Sequence, residues 1–173
     1  SWPSWYAQLS LDPVMENKFE VIVVNDHSED DTASICENYI VQNQDTPIQL
    51  HHLNAGQGKK AALTLGIAKA TKPVIITTDA DCIFPEKWLD TINTCYQKEK
   101  PKMIIAPVNM SAENLFGKIQ ALDFISLTGA AISSYSLNQP VLCNGANLIF
   151  EKNSFENVGG YDGVNHISTG DDV

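Results

Sequence analysis

A chain of 173 residues, 43% of them hydrophobic, has enough apolar material for the core of one domain. Its 21 Asp and Glu outnumber 11 Lys and Arg, and the formal net charge of -10 argues against general binding to nucleic acid or to anionic membrane surfaces. Cys36, Cys82, Cys95 and Cys143 form no CxxC pair, which excludes the usual zinc and disulfide patterns and fits reduced thiols in a cytosolic setting.

In chain order, Ser1 to Leu11 is expected to be the tail of an amphipathic helix, with Trp2, Trp5, Tyr6 and Leu9 at roughly helical spacing, ended by Asp12-Pro13. Phe19 to Val24 reads as a fully buried strand. A helix follows from about Asp31 to Gln44, capped by Ser28 or Asp30, with Ala33, Ile35, Cys36, Tyr39 and Ile40 available for its core face. Ile48 to Leu53 is the next strand, then a glycine-rich turn from Asn54 to Lys60 and a helix from Ala61 to Ala70. Val74 to Thr78 continues as a strand, and Pro85 opens a helix carrying Trp88, Leu89 and Ile92. Met103 to Val108 is a strand, and Ser111 caps a long helix to about Ser133. That helix is apolar almost all round from Ala121, so it is expected to be buried, or to lie against a further part of the protein or a membrane. Leu148 to Phe150 is a short strand, and Gly159-Gly160 stops a short last helix.

Strands alternating with helices predict an α/β fold, with a mostly parallel central sheet flanked by helices, in a single domain over residues 1–173. No signal peptide is read, and no apolar run is expected to span a bilayer. Both ends read as cut, which leaves targeting and membrane segments of a parent protein open.

In such sheets ligands bind at the carboxyl ends of the strands. Three of those ends carry polar clusters. The first is PVIITTDAD, Pro73 to Asp81. If extended backbone persists, Asp79 and Asp81 point the same way and repel, unless a hard cation such as Mg²⁺ or Mn²⁺ lies between them. A solvated strand-end turn explains the same residues. The second is NDHSEDDT, Asn25 to Thr32, where the Asp26 carboxylate suits the imide N–H of a uracil, though such residues also serve as turn and cap.

The third is NAGQGKK, Asn54 to Lys60, with glycines for close backbone approach and Lys59 for a phosphate. A helix start with exposed lysines, Lys60 above all, is the plainer reading. The segment fails as a Walker A loop. It comes nearer to a dinucleotide fingerprint through Gly56, Gly58 and Ala61, with Asp79 as an acid about 20 residues on, so an NAD(P)-dependent oxidoreductase is an alternative. In CNGANLIF, Asn144 and Asn147 could bond sugar hydroxyls, and Gly145 permits a turn. In GDDV, Asp171 or Asp172 could act as a general base, or form an acidic surface turn. The four histidines show no metal-ligand spacing.

In this order, EVIVVNDHSEDDT, NAGQGKKAALTLGI, VIITTDADC, CNGANLIFEKNSFENVGGYD and GDDV together resemble the family 2 glycosyltransferases. The resemblance covers nearly the whole chain. It implies the Rossmann-like GT-A fold and inverting transfer of a sugar from a nucleotide-diphosphate donor, here a UDP-sugar, to a hydroxyl acceptor in glycan synthesis. By the same resemblance, Asp26 contacts the base and Lys59 lies near the phosphates. Asp79 and Asp81 match the DxD motif that holds a divalent metal, Mn²⁺ or Mg²⁺, and Asp81 is the stronger choice for direct ligation. Asp172, preceded by Asp171, matches the general base of the ED motif, while Asn144, Gly145 and Asn147 lie toward the acceptor or donor sugar. His27 stands where the family commonly has glycine. The family's first strand would precede Ser1, and the segment after the ED motif would follow Val173. The fragment alone is therefore expected to bind donor poorly, and a catalytically inactive nucleotide-sugar-binding module is a further alternative. Membrane association at the cytoplasmic side is the expected setting of the whole protein, with no nucleic acid partner.

Overall fold

The computed structural model describes residues 5–12, 18–112, 114–137 and 145–162. The described elements are β1 (Trp5–Asp12), β2 (Lys18–Asn25), α1 (Thr32–Gln42), β3 (Ile48–His52), α2 (Lys59–Lys69), β4 (Val74–Thr78), α3 (Trp88–Glu99), β5 (Met103–Ile105), α4 (Leu115–Ser136), β6 (Leu148–Glu151) and α5 (Lys152–Asn157). A single 3₁₀ turn, Gly145–Asn147, leads into β6.

The strands form one six-stranded sheet in the order β3-β2-β1-β4-β6-β5. β2 and β3 pair in parallel, and the registers give β4 and β5 the same direction. β1 and β6 run against them, so the parallel-directed strands are interleaved with two antiparallel ones. The α/β architecture is the expected one, but the first element is not. Trp5–Asp12 is a strand rather than a helix tail, and it pairs with both β2 and β4. Its sequence also alternates, with Ala7, Leu9 and Leu11 between Gln8, Ser10 and Asp12, and two open strand edges supply the hydrogen bonds that an isolated helix turn cannot.

β4 lies near the middle of the sheet and all five of its residues, every one β-branched, are buried. Its two faces meet different layers, as the period of two requires. Ile75 packs with Ile22, Val24, Leu148 and Phe150 beneath Ala62 and Ile67 of α2. Val74 and Ile76 pack with Ile149 beneath Ile92, Trp88 and Leu89 of α3. Burying each such aliphatic side chain contributes about 1.5–3 kcal/mol.

Around this frame the details shift. In α1 the half-buried stripe is Ala33, Cys36 and Ile40, whereas Ile35 and Tyr39 turn outward, because one residue along a helix rotates the side chain by about 100°. Asp30, not Ser28, bonds the first-turn amide of Thr32, at 3.1 Å. Lys60 is buried rather than exposed, since it shares the inner face of α2 with Leu63 and Ile67. Asn114, not Ser111, caps α4 by accepting the Gly117 N–H at 2.7 Å.

Of the two settings expected for α4, burial is not the one found, since Leu115, Phe116, Ile119, Leu122, Ile125, Leu127 and Ile132 are exposed. The expectation that no apolar run is long enough to span a bilayer is corrected. Leu115–Ser134, 20 residues with mean hydropathy 1.3, also meets the length and composition needed to cross a membrane.

Candidate functional site

The carboxyl ends of β2, β3, β4 and β5 open on one rim, together with the start of β6. Asp26 stands just beyond β2, with a side chain only 10% exposed. One of its oxygens accepts the Gly58 N–H at 2.8 Å, and the other pairs with His27 Nδ1 at 2.9 Å. Gly58 caps α2 with φ of 87°, a conformation that glycine adopts at little cost. The next residue, Lys59, reaches across the rim, and its Nζ lies 3.1 Å from Asp79 Oδ1. Three loops, those after β2, β3 and β4, are therefore joined by the chain Asp26, Gly58, Lys59, Asp79. The expected convergence of three polar strand ends is present.

Asn25 stiffens the first of these loops. Its Oδ1 accepts from Ser28 N at 3.1 Å and from Ser28 Oγ, and its amide bonds His52 Nδ1 at 3.2 Å. His27, between Asp26 and Ser28, takes φ of 56°, a left-handed value uncommon outside glycine. Asn25 thus acts as the turn residue that an Asn at a strand end is expected to be.

The acidic pair has a different geometry from the extended one considered above. β4 ends at Thr78, and the Cys82 N–H bonds the Asp79 carbonyl at 3.2 Å, so Asp79 to Cys82 form a tight turn. Asp79 is half-exposed and paired with Lys59, whereas Asp81 is exposed and takes no partner among the described residues. One carboxylate is thus ordered by an internal cation, and the other has no such partner among the described residues. Among the described residues there is no cluster of three His, Cys, Asp or Glu side chains to cage a metal.

Gly145 and Asn147 also lie at the rim, but their polar groups are engaged. The buried Thr77 hydroxyl donates to the Gly145 carbonyl at 2.7 Å. Asn147 Oδ1 accepts the Trp88 indole N–H at 3.2 Å, and its amide donates to the Pro107 carbonyl at 3.2 Å. Asn144, Asp171 and Asp172 lie outside the described residues. Cys36, Cys82 and Cys95 are free thiols.

The profile described as "Glycosyl transferase family 2" matches residues 7–158. The chain belongs to glycosyl transferase family 2. It is 29% identical over 151 residues to a poly-β-1,6-N-acetyl-D-glucosamine synthase of Staphylococcus epidermidis, a match covering 83% of this chain and 35% of the relative. It is 30% identical over 153 residues to the synthase of the same name from Staphylococcus aureus strain COL, covering 84% of this chain and 35% of that protein. The chain thus spans about a third of the length of the curated relatives it matches. Family membership places the chain in the GT-A fold class and speaks against the oxidoreductase reading of Gly56, Gly58 and Ala61. The structure adds a physical reason: the Gly58 N–H, which a dinucleotide fingerprint would aim at a pyrophosphate, is bonded to Asp26.

Proposed function

We propose that this glycosyltransferase transfers a sugar from a UDP-sugar donor to a hydroxyl of a glycan acceptor, with inversion at the anomeric carbon. The relatives' names make N-acetyl-D-glucosamine the first sugar to test and a β-1,6-linked polymer of it the first acceptor. The observation that carries the reading is the rim chain from Asp26 through Gly58 and Lys59 to Asp79, set beside the exposed carboxylate of Asp81, which has no partner among the described residues.

In this reading Asp26 accepts the uracil N3–H with a lone pair left over from its two internal bonds. Lys59 meets the diphosphate charge, exchanging part of its contact with Asp79 for phosphate oxygens. The donor set fits a hard divalent cation, Mn²⁺ or Mg²⁺. Asp81 offers an exposed carboxylate, Asp79 a second oxygen beyond the one facing Lys59, and such a cation draws its remaining ligands from phosphates and water. When bound, the cation supplies positive charge at the departing diphosphate. Asp172, preceded by Asp171, takes the acceptor hydroxyl proton as that oxygen forms its bond to the anomeric carbon. The bond from that carbon to the diphosphate breaks, and UDP leaves from the opposite face.

A general base contributes on the order of 10²–10⁴-fold to rate. In the whole protein, Asp172→Asn is expected to slow transfer from UDP-N-acetylglucosamine by roughly that factor while UDP still binds. Equal turnover by the variant and the unaltered enzyme removes Asp172 from this role.

We also place the whole protein at the cytoplasmic face of a membrane, with α4 as a contact. A surface helix of a self-contained globular domain normally keeps one polar face, whereas α4 exposes apolar side chains along its length.

A further inference from the structure

His27 keeps a backbone that its side chain disfavours. Its φ of 56° lies in the left-handed region, where the Cβ of any residue other than glycine crowds the following carbonyl. The loop around it imposes that geometry. Asn25 Oδ1 accepts from the Ser28 N–H and hydroxyl, the Asn25 amide bonds His52 Nδ1, and the Gly58 N–H ties down Asp26. Such a conformation persists only where its surroundings over-determine it, and it marks positions where geometry serves something other than stability.

What the conformation secures is a bond to the preceding residue. His27 Nδ1 lies 2.9 Å from Asp26 Oδ1, and because a carboxylate only accepts, the imidazole carries its proton on Nδ1. The pair adds little to the fold, since the His27 side chain is more than half exposed. Its effect on Asp26 is larger. The Gly58 N–H holds Asp26 Oδ2 and His27 holds Oδ1, so the plane of the carboxylate is fixed against rotation about its Cβ–Cγ bond. Each oxygen keeps acceptor capacity for a further donor.

A carboxylate fixed in this way tells apart two bases of the same size. At ring position N3 uracil offers an N–H donor, whereas cytosine offers a lone pair there and carries its donor on the adjacent exocyclic amine. A fixed acceptor meets the first and faces the lone pair of the second, while a carboxylate able to swing reaches the amine as well. We infer that His27 is a positioning residue for the base: through Nδ1 it fixes Asp26 on the imide N–H and makes the site prefer uracil nucleotides to cytosine ones. The inference rests on the contact between Asp26 and the base proposed above.

The test is calorimetric titration of UDP and of CDP, with Mn²⁺ present, into the whole protein. His27→Gly removes the imidazole and suits the left-handed backbone, so the protein is expected to melt within about 3 °C of the unaltered one. UDP is expected to bind this variant roughly fivefold more weakly, and the preference for UDP over CDP to shrink by a similar factor. His27→Asn takes the same backbone and carries an amide N–H near the place of Nδ1, and it is expected to recover most of that affinity and preference. Unchanged UDP affinity in His27→Gly overturns the inference, as does an equal loss for UDP and CDP. So does His27→Asn losing as much as His27→Gly, or a melting temperature in His27→Gly lowered further than stated, which would make His27 a merely structural residue. Asp26→Asn, titrated beside them, separates this inference from the reading under it. Undiminished UDP affinity in Asp26→Asn removes the base contact and the role of His27 with it, whereas a loss there and none in His27→Gly removes His27 alone.

Discussion

Removing the Asp26 carboxylate should separate its structural role from its proposed contact with the base. Asp26 is 10% exposed and joins two loops through one bond from a backbone N–H and one from an imidazole. Asp26→Ala leaves the Gly58 N–H without its acceptor, and a hydrogen bond to a charged group is worth roughly 1.5–3 kcal/mol. His27 is more than half exposed, so losing that pair adds no more than about 1 kcal/mol. The sum is about 1.5–4 kcal/mol. For a domain of this size each kcal/mol lowers the melting temperature by roughly 2–4 °C, so the domain should melt roughly 3–16 °C lower. Asp26→Asn keeps one acceptor oxygen for Gly58 and should lose about half as much. Calorimetry reads the first effect and UDP titration the second, since both variants should bind UDP more weakly than the unaltered protein. A melting temperature unchanged in Asp26→Ala refutes the loop-joining role. A lowered one with undiminished UDP affinity in Asp26→Asn refutes the base contact.

Two other predictions concern stability and surface. The Glu151 carboxylate accepts from Lys102, from the Tyr96 hydroxyl at 2.9 Å and from Ser154 at 3.1 Å. The Lys102 bond leads in holding its pKa below the ordinary 4.5, so its stabilisation is complete above that value and is lost as pH falls through the lowered one. Burial, helped by Glu151, pushes the Tyr96 hydroxyl up from 10.0 to about 12, so its contribution is complete below 10 and is lost as pH rises toward 12. Urea midpoints should therefore show Glu151→Gln less stable at neutral pH and converging with the unaltered chain in acid; a gap that persists in acid contradicts the assignment. For α4, the 173-residue chain should sediment with neutral phosphatidylcholine vesicles, and Ile119→Glu with Leu122→Glu should weaken that binding markedly. Equal partition of the double variant would take α4 out of any membrane contact.

The elements legible in the sequence were those whose signal is local. Val74 to Thr78 could be read because five β-branched residues in a row fit little else, and Trp88, Leu89 and Ile92 because their spacing marks one helix face. The rim was legible for the same reason: each polar cluster directly follows an apolar strand. β1 was not, because its place depends on partners far away in the chain. Trp2, Trp5, Tyr6 and Leu9 suit a helix, Ala7, Leu9 and Leu11 suit a strand, and only the two edges of β2 and β4 decide between them. The mutual geometry of Asp79 and Asp81 was hidden too, since a strand's period of two ends where its ladder ends, at Thr78. Asn147 could be read as a rim residue, yet nothing local announces that its amide bonds Trp88 and Pro107.

The central claim is that the acidic turn after β4 shares a divalent cation with the diphosphate of a nucleotide. Its most direct test is calorimetric titration of UDP into the whole protein, with Mn²⁺ and then with a chelator, for the unaltered chain and for Asp81→Ala. UDP should bind at least about tenfold more tightly with Mn²⁺ in the unaltered protein, and Asp81→Ala should abolish that difference. Equal affinity with and without the metal, or a metal dependence that survives in Asp81→Ala, would contradict it.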